Sequence, residues 1–230
     1  MTTIMNESSQ IHLAIIPDGN RRWSAKQVLK TWQGHEQGAK VADTIVRWAY
    51  KNSDVSTLTL WGLSTENWSR SKPEINKLMK IYYEWLMKKE PELIEQEIRF
   101  LHSGRLDRLP KKLVDKINEA SEVTSGFRKF TLHIALDYGG QDEIIRAFNK
   151  ARQAGKLTPE SFRQYLDQPD LPDIDLLMRT SGEQRLSNFM LWQLAYTELY
   201  FADKHFPELT SEDLDQAVAE FRNRQRRFGK

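Results

Sequence analysis

The chain has 230 residues, 39% of them apolar, which is enough for one large buried core, and no low-complexity linker divides it. Lysine and arginine number 34 against 32 aspartates and glutamates, a formal charge of +2, so no global field marks a nucleic-acid binder and any anion recognition must be local. The lack of cysteine excludes disulfides, thiolate metal sites and cysteine nucleophiles, and fits a reducing compartment.

At the start, "MTTIMNESSQ" lacks the charged and apolar regions of a signal peptide, and residues 1–11 read as a disordered arm. No run approaches the roughly 18 apolar residues needed to span a bilayer. A cytoplasmic protein with at most peripheral membrane contact is expected. "IHLAII" then reads as a buried strand, "PDGN" as a turn and "RRWSAKQ" as the start of a helix. "VSTLTLWGL" is a second strand, followed by "STENWSRSKPE", in which Ser71 and Glu74 have the spacing of a capping box before the helical Ile75, Leu78, Met79, Tyr82 and Leu86. "EIRFLHSG" and "FTLHIAL" are further strands, the latter leading through "DYGG" into a helix, and "DIDLLM" precedes "RTSGEQRLSN". A last helix begins near Thr210 and carries Leu214, Ala217, Val218 and Phe221 on one face. Strands alternating with helices predict a single α/β domain over 1–230, with a central, mostly parallel sheet flanked by helices.

In such a sheet ligands bind beyond the carboxyl ends of the strands. The polar clusters fall there: Asp18-Gly19-Asn20, residues 64–68, residues 137–140 and residues 179–187. In "PDGNRRW" the peptide N–H groups after Gly19 suit a phosphate, and Arg21 or Arg22 adds a two-pronged charged contact. Asp18 would repel that phosphate unless a cation such as Mg2+ lies between them, held by the carboxylate and the substrate oxygens. Arg179, Arg185 and Ser187 form a second dense set of phosphate donors. Each cluster also has an ordinary structural reading: an Asp-Gly turn, arginines paired with Glu183, a capping turn at Ser64, a structural His35, and a solvated basic end in "FRNRQRRFG". Glu198, acidic among aromatics, is expected to be paired, metal-bound or turned to solvent. Two anion sites and a carboxylate-held cation on one edge point to an enzyme that handles two phosphorylated substrates.

Taken in order, "HLAIIPDGNRRWSAKQ", "GHEQGAK", "LTLWGLSTENWSR", "TLHIALDYGGQDEI" and "DLLMRTSGEQRLSNFMLWQLAYTELYF" resemble the signature blocks of the cis-prenyltransferases, the undecaprenyl diphosphate synthase family, from about His12 to Gly229. The resemblance implies Mg2+-dependent condensation of isopentenyl diphosphate with an allylic diphosphate of the farnesyl or geranyl class, forming Z double bonds. It further implies a homodimer and an apolar tunnel; no nucleic-acid partner is expected, because the basic charge is confined to one end of the chain. Carried over by position, Asp18, Asn20 and Asn67 become the catalytic set. Gly19, Asn20, Arg21, Arg22, Trp23 and His35 fall at the allylic diphosphate, and Ser64, Glu66, Asn67, Trp68 and Arg70 on a segment closing over the site. Arg179, Arg185 and Ser187 fall at isopentenyl diphosphate, and Asp18 and Glu198 at the metal. Arg227 and Gly229, in a 222–230 tail, match an element completing the partner subunit's site.

The sequence departs from the family pattern at Pro17 (usually Met), Thr31 (an arginine in the long-chain bacterial enzymes), Asp137 (usually Asn) and Arg105 (usually Asp), and residues 155–173 form a shorter segment. Gly62 is expected to leave the tunnel floor open, and Leu63, Tyr82 or Tyr83 to narrow it. Two alternatives accompany the main reading: a synthase of branched, lavandulyl-like diphosphates, and a non-catalytic subunit of a heteromeric synthase.

Overall fold

Each apolar run that ends in a polar turn becomes a strand of one sheet. The computed structural model describes residues 10–224. In chain order the elements are β1 (Ile11–Ile16), α1 (Asn20–Lys26), α2 (Thr31–Lys51), β2 (Val55–Ser64), a 3-10 turn (Thr65–Ser69), α3 (Lys72–Glu95), β3 (Ile98–Ser103), α4 (Lys111–Val123), β4 (Phe130–Tyr138), α5 (Gly140–Ala151), α6 (Pro159–Arg163), β5 (Leu176–Arg179), β6 (Glu198–Phe201), a second 3-10 turn (Phe206–Glu208) and α7 (Ser211–Asn223). The strands lie in the order β3-β4-β2-β1-β5-β6, and every pairing is parallel. The chain moves from β1 to one side through β2, β3 and β4, then crosses to the other side for β5 and β6. The direction reverses at β1, and Asp18 follows that strand directly.

Alternation along β1 divides the core. Ile11, Leu13 and Ile15 join a large cluster with residues of α2, α3, α4 and α7, whereas Ala14 and Ile16 face the opposite side with Phe189, Met190 and Leu177. Both faces are therefore covered, as a parallel sheet requires.

A polar row crosses the second face within the sheet. His12 Nδ1 lies 2.9 Å from the Pro172 carbonyl, which only accepts, so this nitrogen carries the proton. His12 Nε2 must then accept from the Thr59 hydroxyl at 2.6 Å, and Thr59 Oγ1 accepts from His133 Nδ1 at 3.0 Å. His133 Nε2 in turn accepts from Ser103 at 2.8 Å, so the row across β3, β4, β2 and β1 runs in one direction. Burial pushes His12 down to about 4 and His133 well below its ordinary value, so both rings are neutral.

Candidate functional site

The turn after β1 is held from below before it holds anything itself. The Thr180 hydroxyl, one residue past β5, accepts from the Asp18 N–H at 2.8 Å and donates to the Asp18 carbonyl at 2.8 Å. Gly19 follows at φ 99°, where a Cβ would lie 2.1 Å from Ser181 Oγ, so both the left-handed backbone and the close approach require glycine. The Asp18 side chain lies between two guanidinium groups, with Arg22 Nη2 3.0 Å from Oδ1 and Arg179 Nη2 3.0 Å from Oδ2. Partial burial works to raise its pKa, but the hydrogen bonds from Arg179 and Arg22 prevail and hold the carboxyl below its usual range. Arg179 is almost wholly buried, and its Nη1 also donates to Ser187 Oγ at 2.8 Å. Arg22 binds Glu183 as well, at 2.8 Å, and Arg185 pairs with the same carboxylate while remaining exposed.

A cavity of about 390 Å³ opens beside Asp18, between the carboxyl end of the sheet and helices α2 and α3. Asp18, Asn20, His35, Ser64, Glu66, Asn67, Arg70, Arg179 and Ser187 line it, with apolar walls that include Ile16, Ala42, Leu60, Leu78 and Ile81. Asn20 reaches it because α2 presents Gly38, where a Cβ would meet Asn20 Oδ1 at 2.5 Å. On the opposite rim, Glu74 Oε1 stands 3.5 Å from His35 Nε2, 3.4 Å from Arg70 Nη1 and 4.0 Å from Arg21 Nε. Burial, helped by the Arg70 charge, lowers the His35 pKa, so the ring is neutral near pH 7. Asn20 Oδ1 and Arg179 Nε are buried without hydrogen-bond partners, and His35 Nε2 has its 3.5 Å contact with Glu74.

The roof of the cavity is the 3-10 turn after β2. Ser64 and Asn67 form its capping box, so the ordinary reading of "STENW" holds together with its place on the cavity wall. Asn188 Nδ2 donates to Glu66 Oε1 at 3.0 Å, and Asn188 Oδ1 accepts from the Gln141 N–H at 2.8 Å, which ties the roof to the start of α5. Ser181, Ser187, Asn188 and Met190 all have positive φ, a run of costly backbone in the loop that carries the anion donors.

Nine of the catalytic, binding and metal residues expected from sequence thus line one cavity, and others do not. Trp23, Trp68 and Arg185 lie off the lining, as do Arg21 and Arg22. Glu198 begins β6 in register with Leu176, at the amino end of the sheet, where it pairs with Arg224 at 3.1 Å; within this chain it is not brought to Asp18. Ser71 is the N-cap of α3, but its side chain accepts no cap hydrogen bond, and the Glu74 side chain turns to His35 and Arg70. The 137–140 turn also leaves the lining, with Asp137 buried under Trp68 and Arg108. Gly62 lies against Tyr82, whose hydroxyl donates to the Gly62 carbonyl at 2.5 Å; Tyr82 and Leu63 line the cavity and Tyr83 does not. Thr180 and Asn188 carry no expectation from the sequence, and Glu74 carries only that of a helix cap. Only their nearness to the quoted motifs marked them, since a hydroxyl, an amide and a carboxylate carry no distinguishing local pattern. Arg227 and Gly229 lie outside the described residues.

The donor set fits a hard divalent cation in one particular way. Asp18 is ionised and its carboxylate offers more acceptor sites than its two arginine contacts use, but no group of three or more acidic or histidine side chains converges among the described residues. Such an ion would be held by one carboxylate, substrate oxygens and water.

A family model described as putative undecaprenyl diphosphate synthase matches residues 16–229. The isoprenyl transferase of Thermotoga maritima is 45% identical over 225 residues, covering 95% of this chain and 96% of its own, and that of Aquifex pyrophilus is 43% identical over 221 residues, covering 95% of each. Among solved structures, lavandulyl diphosphate synthase from Lavandula x intermedia, in complex with dimethylallyl diphosphate, superposes with a TM-score of 0.91 at 37% identity, over 98% of this chain and 100% of that one. A probable undecaprenyl diphosphate synthase from Campylobacter jejuni superposes with a TM-score of 0.81 at 34% identity, over 96% of this chain and 99% of that one.

Proposed function

Because the chain belongs to the undecaprenyl diphosphate synthase family of isoprenyl transferases, we propose that it condenses isopentenyl diphosphate with an allylic diphosphate of the farnesyl or geranyl class, forming a Z-polyprenyl diphosphate. One observation carries this reading: an ionised aspartate between two arginines, one of them buried, at the mouth of an apolar-walled cavity whose far rim holds His35 and Arg70.

The reaction breaks the allylic C–O bond, leaves a carbocation and diphosphate, joins the cation to the isopentenyl double bond and releases a proton. The protein must therefore hold the departing anion with donors already in place and keep water from the cation. The N–H groups at the start of α1, with Arg21, Arg22, His35 and Arg70, bind the allylic diphosphate, and Arg179, Arg185 and Ser187 bind isopentenyl diphosphate. Asn20, packed against Gly38 with a buried, unpartnered Oδ1, is assigned to orienting the groups around the proton-removal step. The roof residues Ser64, Glu66 and Asn67 exclude water, while the apolar walls form the mouth of a tunnel for the prenyl chain. Mg2+, bound by Asp18 and substrate oxygens, supplies charge stabilisation for the diphosphate. Trp23 stays with the allylic site by position alone. Glu198, Arg227 and Gly229 are assigned to a homodimer in which the tail completes the partner's site. With no described helix long and apolar enough to cross a membrane, we place this reaction in the cytoplasm, with peripheral delivery of the lipid product.

Purified protein given Mg2+, farnesyl diphosphate and labelled isopentenyl diphosphate should yield an extended product, and Asp18→Ala should not; equal product from both would defeat the assignment. The close superposition with lavandulyl diphosphate synthase favours one further reading, branched coupling of two five-carbon units. Dimethylallyl diphosphate supplied alone separates the two, since chain elongation gives no turnover without isopentenyl diphosphate.

A further inference from the structure

Asp137, the penultimate residue of β4, is a wholly buried carboxylate at φ 54°, a backbone conformation that costs a non-glycine residue free energy, and it takes no part in lining the cavity. Three donors converge on it. The Trp68 indole N–H reaches Oδ1 at 2.8 Å, Arg108 Nε reaches Oδ2 at 2.9 Å, and Arg108 Nη2 makes a further close contact to Oδ1. The guanidinium carbon also lies 5.4 Å from the centre of the Trp68 ring, so the same cation neutralises the carboxylate and stacks on the indole. Trp68 belongs to the 3-10 turn whose neighbours Glu66, Asn67 and Arg70 line the cavity, although Trp68 itself does not. The one other side-chain tether from this turn to a distant element, among the described residues, is Asn188 to Glu66. An amide at 137 would still accept the indole hydrogen bond but would leave Arg108 without its ion pair, so the carboxylate charge has a purpose of its own.

We propose that Asp137 and Arg108 are positioning residues: through Trp68 they fix the roof turn and so place Glu66, Asn67 and Arg70 over the cavity. The inference rests on reading that cavity as the prenyl-transfer site. Because the three side chains depend on one another, their removal is not additive.

The test uses the full chain with Asp137→Ala, Asp137→Asn, Arg108→Gln, Trp68→Phe and the Trp68→Phe/Asp137→Ala pair. Two readouts are taken: hydrogen exchange of residues 64–71, and steady-state kinetics with Mg2+, farnesyl diphosphate and labelled isopentenyl diphosphate. Asp137→Ala and Trp68→Phe should each speed exchange of that segment and lower kcat/KM by between about tenfold and a hundredfold. The pair should be no worse than the more damaging single change, and Asp137→Asn should fall between wild type and Asp137→Ala. If Asp137→Ala does not fold, Arg108→Gln and Trp68→Phe carry the same comparison. Unchanged exchange in 64–71, unchanged kinetics despite faster exchange, or effects that multiply in the pair would overturn the proposal. A wild-type protein that forms no extended product overturns the assigned reaction instead, and the exchange data still decide whether the tether exists.

Discussion

Across the middle of the sheet, His12, Thr59, His133 and Ser103 are buried with each side-chain nitrogen and oxygen hydrogen-bonded, whereas at its carboxyl edge Asn20 and Arg179 bury polar atoms that have no partner. The two groups lie in the same fold and are built from similar residue types. Leaving such an atom unmatched costs roughly 1–3 kcal/mol, which a ligand bound in the cavity recovers by supplying the missing partner. The row is finished without a ligand, and its contribution is to folding; the edge is unfinished, and its contribution is to recognition.

If that contrast holds, substitutions in the two regions should separate activity from stability. The largest effect is expected at Asp18→Ala, which should lower kcat by about 10²- to 10³-fold or more in the labelled isopentenyl diphosphate assay while circular dichroism remains native. Thr59→Val should do the reverse. It strands His12 Nε2 and the His133 Nδ1 proton together, costing roughly 2–5 kcal/mol in urea unfolding with kcat per folded molecule retained. A pH titration sharpens the contrast further. Burial pushes His12 down to about 4 and His133 well below its usual value, so the unfolded chain binds protons below about pH 6.5 that the native protein refuses. Stability is then fully present above pH 6.5 and is lost as pH falls toward 4, with a slope approaching about 1.4 kcal/mol per pH unit for each histidine. Denaturant midpoints that stay flat from pH 7 to 4.5 would show the row to be charged or hydrated. The smallest effect is expected at Glu74→Gln. Removing the carboxylate beside His35, Arg70 and Arg21 should raise inorganic diphosphate affinity about two- to fivefold by calorimetry, within the range of a partly exposed ion pair.

Much of this was legible in the sequence, for identifiable reasons. Strands β1 to β4 and helices α3, α5 and α7 show up because apolar periodicity and turn residues coincide, and their carboxyl-end turns name most of the cavity's polar residues. Helix α2 carries Val41, Ile45, Val46 and Ala49 at helical spacing, and Gly34 and Gly38 interrupt that face only in its first half; the glycines are there to admit Asn20, a tertiary reason that no local rule contains. The edge strand β6 has four residues and is largely unburied, too short for alternation to register. The Ser71 to Glu74 spacing matched a capping box, but longer-range charges won Glu74 for the site. Asp137 departs from the family pattern, and the Arg108 that pairs with it stands 29 residues earlier, beyond the reach of any local pattern.

The histidine row has a consequence for how the sheet assembles. β1, β2 and β4 are apolar runs that face packed layers on both sides, and a parallel ladder accepts many alignments of such runs at similar cost. Sliding β2 by one residue presents Leu58 or Leu60 where Thr59 stands and cuts two hydrogen bonds at once, while turning every side chain to the wrong face. The polar row therefore works as an alignment key: three of the four central strands fit it in a single phase, and the edge where Asp18, Ser64 and Arg179 meet is level because of it.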